Sequence, residues 1–196
     1  MVIARLMFCL ARRDLIVPDG FLGMSHFMAI LCAQHRSGIN STKYRMQTLD
    51  SPCLKDLLDR LQHLRPETRA LWGKMNAHQM VCHLTDSFGL AMGDKTASEE
   101  ITFLSRTLVR WVALKTPLPW PKGVPTRPEM DQMGGGTRPT EFARDTAALN
   151  AALLRFAQHP RAFAFARHPI FGALTEWEWM RWGYLHASHH FRQFGL

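Results

Sequence analysis

From position 50 onward the apolar residues recur at helical spacing. Leu54, Leu57, Leu58 and Leu61 share one face. They follow Ser51-Pro52, an N-cap candidate with proline at the first helical position. Arg65-Pro66 closes that segment, because a residue before proline is biased away from helical geometry. A second helix is predicted from Asn76, with Gln79 as the reciprocal partner of a capping box. Ala77, Met80, Val81, Leu84, Phe88 and Ala91 trace its apolar face, and Gly93 stops it. A shorter apolar segment over 101–114 carries Phe103, Leu104, Leu108 and Trp111.

The stretch TPLPWPKGVPTRPEMDQMGGGTRP, 116–139, holds six prolines and four glycines. An irregular connection of that length inside a domain is usually functional or disordered. Its tryptophan, Trp120, and its two methionines predict that it packs on the fold. Thr140 is the expected N-cap of the next helix, whose stripe is Phe142, Thr146, Leu149, Leu153 and Phe156. The last helix opens on TEWE, with Thr175 and Glu178 as a capping box, and runs to about Gln193. No alternating strand pattern and no hairpin dipeptide occurs at sheet-like spacing. The expectation is an all-α protein: a four-helix bundle with a short extra helix and a long Pro/Gly-rich connection between the second and third main helices.

Residues 1–45 show no sustained helical period and lack the layout of a secretory signal. We expect them to be a poorly ordered extension, or the product of a start codon placed upstream of Met46. The helical domain is then 46–196. The net charge of +8 suggests nucleic acid until its distribution is considered. Residues 1–45 carry six basic and two acidic side chains, leaving eighteen and fourteen for the rest. The domain is thus only mildly basic, and it has no basic helical stripe or nucleic-acid-binding motif. No apolar run reaches the length of a membrane span. Cys9, Cys32, Cys53 and Cys82 form no CxxC pair, which fits a reducing cytoplasm better than a disulfide framework. Cys82 is expected to be a small buried hydrophobe.

Three of the ten histidines fall in LHASHHFRQF, at 186, 189 and 190. Positions four apart on a helix differ by about 40° around its axis, so His186 and His190 share a face. Toward the N-terminus that face continues through Gly183, Trp182 and Trp179, which predicts that it points inward. Two imidazoles at this spacing can grip one metal ion, and His83, beside the apolar face of the second helix, is the natural third ligand. Zinc suits three neutral imidazoles with one open position, and nickel or iron also suit nitrogen ligands. The alternative is a solvated histidine pair near a chain end, with His83 merely bonding a carbonyl. HxxxH lacks the glutamate of metalloproteases. Asp86, three after His83, is a candidate to orient an imidazole. His63, His78, His159 and His168 are expected to be surface or capping groups, and Trp72, Trp177, Trp179 and Trp182 to serve packing.

The blocks LWGKMNAHQMVCHLTDS, WPKGVPTRPEMDQMGGGTRPTEFARD and HPIFGALTEWEWMRWGYLHASHHFRQFG resemble an uncharacterised-domain branch of the DinB/YfiT-like superfamily, in colinear order over about 46–196. The resemblance implies a four-helix bundle holding a metal on a histidine triad, one ligand from the second helix and two from the last. These fall on His83, His186 and His190, with His189 the alternative to His190. Gln193 lies three after His190, as in the superfamily's HRGQ-like ending, here HFRQ with Phe191 and Arg192 between. The resemblance further implies a thiol-dependent transferase, in which a divalent metal lowers the pKa of a low-molecular-weight thiol that attacks a small electrophile. A metal-dependent hydrolase and a non-catalytic metal-binding or stress-related bundle are the alternatives. Lys122, Arg127 and Arg192 are candidates to orient an anionic thiol or substrate. The expected partner is a small molecule, not nucleic acid or membrane, and the aromatic residues of the last helix permit a homodimer.

Overall fold

The computed structural model describes residues 46–196; the extension expected over 1–45 lies outside the described residues. Helix α1, Ser51–Leu61, is capped by Asp50, whose extended backbone lets its carboxylate accept the Cys53 N–H at 3.4 Å. Ser51, the expected cap, therefore sits inside the first turn, one residue past the observed one. Helix α2, Ala77–Ala91, carries the predicted capping box. Gln79 N–H donates to Asn76 at 2.8 Å, and Asn76 N–H donates to the Gln79 side chain at 2.9 Å. This helix is buried almost all round, with Met80, Val81, Leu84, Phe88 and Ala91 inaccessible to solvent.

The segment beyond it departs from its expected role. Thr102 and Ser105 exchange side-chain-to-backbone hydrogen bonds, and a π-helical turn, Ser105–Val109, leads into the short α3, Arg110–Lys115. A π turn inserts extra chain into the helical register and rotates the residues after it. Of its apolar side chains Leu114 is buried, whereas Phe103 is 76% and Trp111 58% exposed. The connection over 116–139 packs as anticipated at two of its three anchors. The Trp120 indole donates to the Ala113 carbonyl at 3.0 Å, and Met130 is buried at the end of a 3-10 turn, Pro128–Met130. Met133, the third anchor, is exposed instead.

Helix α4, Phe142–Ala157, presents Leu149, Leu153 and Phe156 to the core. Thr140 is not its N-cap. Glu141 holds that position without a side-chain bond, and Asp145 in the first turn reaches back to the Thr140 N–H at 2.9 Å. Helix α5, Glu176–Gln193, has the predicted box of Thr175 and Glu178. Glu178 is itself buried and accepts from the Arg110 guanidinium, Nε at 3.0 Å, which ties α3 to α5. Burial pushes the Glu178 carboxyl up, but Arg110 and Thr175 outweigh it and hold the value at about 2.

Helices α1 and α2 each pack against both α4 and α5, and one apolar core joins Leu57, Met80, Phe88, Leu153, Phe156, Trp179 and Phe191. Among the described residues there is no strand, only an isolated bridge between His168 and Gly172. Among them, too, no helix is long and apolar enough to cross a membrane.

Close approach of α5 to its neighbours depends on Gly183. A Cβ there would meet Phe156 at 2.9 Å, Phe88 at 3.3 Å and Leu49 at 3.4 Å. Gly183→Ala is expected to destabilise the fold by about 1–3 kcal/mol through overpacking, read as a lower urea midpoint. An unchanged midpoint would mean that the aromatic cluster yields freely.

Candidate metal centre

Two helices build the site. His83 sits mid-way along α2; His186 and His190 lie one turn apart near the end of α5. The His186 Nε2 is 3.2 Å from the Nε2 of His83 and 3.2 Å from that of His190. His83 and His190 are buried, and His186 is half-buried. The candidate ligand atoms of all three lie within 4.8 Å of one another.

The far nitrogens decide which face of each ring carries a lone pair. His83 Nδ1 lies 2.9 Å from the Met130 carbonyl, which can only accept, so that nitrogen carries the proton. His190 Nδ1 lies 2.8 Å from Gln193 Oε1. The Gln193 amide is oriented by donating its N–H to the Trp72 carbonyl at 2.7 Å, so its oxygen is the acceptor. His190 Nδ1 is therefore a donor too. In the neutral rings both Nε2 atoms are left as lone pairs aimed at His186. The His186 Nδ1 is buried without a partner. With its proton on Nδ1, three lone pairs face one another; with its proton on Nε2, the buried Nδ1 lone pair is unsatisfied.

A divalent cation relieves this conflict. Zinc-to-imidazole bonds of about 2.0–2.1 Å at tetrahedral angles place ligand nitrogens about 3.3 Å apart, close to the two 3.2 Å separations from His186. Protonation states agree. Burial lowers the pKa of His83, against the Met130 carbonyl and the charge of Asp86. Burial, then the charge of His83, lowers that of His190. Burial, followed by its two histidine neighbours, pushes His186 well below its ordinary value. All three rings are neutral at pH 7, the form that ligates a metal.

The neighbouring His189 turns away from this point. Its ring lies edge-on to Trp72 at 6.0 Å between centroids and tilted to Trp120 at 6.2 Å. Trp120 also covers His186 at 5.9 Å, so the long connection does reach the site. Lys122 places its ammonium over the Trp72 ring at 4.3 Å. Arg192 is exposed, its Nε bonded to the Ser188 carbonyl at 3.2 Å. Burial, then the charges of Arg192, His83 and Lys122, lowers His189 to about 4. These two cations thus share the rim beside His189. Arg127 is engaged elsewhere, with Glu100 at 2.7 Å and with Ser98.

Asp86 does not orient an imidazole. Its buried carboxylate accepts from Gln132 at 3.1 Å and from the Thr137 N–H and hydroxyl, both at 2.7 Å, and it pairs with Lys95. This clasp fixes the loop that carries the Met130 carbonyl, the atom that does orient His83. Sequence inspection missed Met130 because any residue's carbonyl serves, so no side-chain pattern marks it. His168, expected to be a surface or capping group, takes the capping role. It is buried against Phe171 and Trp179, its Nδ1 accepts from the Ile170 and Phe171 N–H groups, and burial lowers it to about 3. His159 is exposed beside Glu176, and Trp179 and Trp182 pack in the core as expected.

Fold and site together define a helical protein with three neutral imidazoles converging from two helices. The chain belongs to the family described as Protein of unknown function (DUF1569), which matches residues 43–195. No curated protein and no solved structure matches it.

Because burial lowers these histidines below their ordinary value of 6.5, the unfolded chain takes up protons that the folded one refuses. Their contribution is complete above about pH 6.5 and is lost as pH falls. The metal-free protein is expected to show a falling urea midpoint from about pH 7.5 to about pH 5. A flat profile across that interval would contradict the neutral, buried state of the rings.

Proposed function

We propose that this protein binds a divalent metal ion on His83, His186 and His190 and acts as a metal-dependent S-transferase joining a low-molecular-weight thiol to a small electrophile. The observation that carries this is the convergence of the three Nε2 atoms, with the far nitrogens of His83 and His190 already committed as donors. When bound, the ion supplies Lewis acidity that lowers the pKa of a thiol at neutral pH. Zinc is the first candidate for it, then nickel or iron.

The chain's own residues hold and shape the place. Met130 and Gln193 keep two of the imidazoles turned with Nε2 inward, and the Trp120 ring covers the third. Lys122 and Arg192 set a positive potential at the rim, suited to an anionic thiol. Arg127, also a candidate for that role, would have to leave Glu100. The triad's outer hydrogen bonds go to a carbonyl and an amide, with no carboxylate to serve as a base. A thiol, whose ordinary pKa is much nearer to 7 than that of water, needs such a base less. This favours transfer over hydrolysis. A non-catalytic metal-binding protein is the remaining alternative.

The DinB/YfiT-like four-helix bundle fits the same reading. We take α1, α2, α4 and α5 as its four helices, α3 as the short extra one and 116–139 as the connection between the second and third. We also place the protein in the cytoplasm, acting on a small molecule rather than on nucleic acid or membrane. For its assembly we propose a homodimer.

Metal analysis of the purified full-length protein tests the proposal. His83→Ala and His186→Ala are each expected to remove one metal ion per chain, and bound metal indifferent to both would reject it. Gln193→Leu is expected to weaken metal binding by about 10- to 100-fold, since it frees His190 to turn its proton inward. Thiol consumption against a panel of electrophiles then separates transferase from hydrolase: metal-dependent hydrolysis without thiol loss would sink the transferase assignment.

A further inference from the structure

A second convergence of metal-ligand side chains lies elsewhere on α2. His78 and Cys82 are four apart and so share a face of that helix. Facing them is Asp145, in the first turn of α4. The Asp145 Oδ2 lies 2.8 Å from His78 Nε2 and 3.7 Å from Cys82 Sγ. The candidate ligand atoms of the three residues all lie within 4.8 Å of one another.

This place is held as a metal site needs to be. The Asp145 carboxylate is fixed by Thr140, whose N–H donates to Oδ2 at 2.9 Å and whose hydroxyl donates to the far oxygen, Oδ1, at 3.3 Å. The His78 ring is braced edge-on by Phe142, centroids 5.4 Å apart. Orienting contacts of this kind around the ligands are what separates a site from a chance grouping. His78 and Asp145 keep side-chain exposures of 20% and 14%, while Cys82 is buried behind them. An ion can therefore enter from the imidazole side and meet the sulfur last. Cys82 and His83 are neighbours in sequence, so their side chains leave α2 about 100° apart, and the two clusters occupy different faces of one helix.

We propose that His78, Cys82 and Asp145 form a second divalent-metal site, distinct from the histidine triad, for a borderline ion of the zinc type. One nitrogen, one sulfur and one carboxylate oxygen suit such an ion, whereas magnesium and calcium take oxygen ligands. On binding, the thiol proton leaves to solvent. His78 ligates as neutral imidazole through Nε2, its proton moving to Nδ1, and the carboxylate supplies the third bond. One proton is released per ion.

Cobalt(II) added to the metal-free full-length protein reads the site directly, because a thiolate ligand gives a near-ultraviolet sulfur-to-cobalt charge-transfer band that imidazoles alone do not. The band is expected in the wild type and in the double variant H83A/H186A, which has lost the triad. It is expected to vanish in Cys82→Ser and to weaken in Asp145→Asn, with the far-ultraviolet circular dichroism of each variant confirming that it is folded. If Cys82→Ser does not fold, loss of the band in His78→Ala carries the same weight. No band in the wild type overturns the proposal and leaves the cluster as a hydrogen-bonded staple between α2 and α4. A band that survives Cys82→Ser also overturns it, by assigning the sulfur to another cysteine. The two sites fail separately: the sulfur-free cobalt spectrum retained in Cys82→Ser reports the triad alone.

Discussion

A carbonyl oxygen cannot donate a hydrogen bond, and this constraint organises the centre. The Met130 carbonyl and the Gln193 amide oxygen draw the protons of His83 and His190 outward, so two lone pairs turn toward His186. Buried polar atoms without partners are costly. The fold nonetheless holds these nitrogens together between α2 and α5 and keeps the His186 Nδ1 out of reach of any bond. A cation that took all three lone pairs would remove much of this cost.

Much of the remaining structure supports that constraint. Asp86 touches no imidazole, but by gathering Gln132, Thr137 and Lys95 it holds the chain that presents the Met130 carbonyl. Gln193 depends in turn on the Trp72 carbonyl, which brings the segment after α1 onto the end of α5. On the inner side Trp179, Trp182 and Gly183 seat α5 against Phe88 and Phe156, which determines how closely the two histidine-bearing helices approach. The long connection, an irregular stretch by composition, thus contributes an orienting carbonyl, a clasp and the Trp120 ring over His186.

Helix α2 works on several faces at once. Its apolar residues belong to the core, His83 faces α5, and His78 with Cys82 faces the start of α4. That division explains the reach of Asp145 back to Thr140: the carboxylate that steadies the first turn of α4 also meets α2. Among the described residues Phe103, Leu104, Leu108 and Trp111 form a run of exposed apolar side chains around the π turn and α3, and the register change falls between Phe103 and Trp111.

What the sequence determined by itself is what helical pitch and short-range hydrogen bonding set. The boxes Asn76/Gln79 and Thr175/Glu178 are complete within four residues, and His186 and His190 share a face on any α-helix. The N-cap at Ser51 was misplaced because the Asp50 carboxylate takes the Cys53 N–H, and local pattern does not rank two adjacent cap candidates. Thr140 was misplaced because Asp145 binds its N–H and hydroxyl, so it serves as a donor to the first turn of α4 rather than as its cap. Tertiary structure alone decided the rest. His83 meets His186 across 103 positions of chain, Met130 enters as a bare carbonyl, and His168 is buried by aromatic neighbours rather than left on the surface. Those outcomes depend on where packed helices and a clasped loop come to lie in space, which the spacing of residues along one helix does not encode.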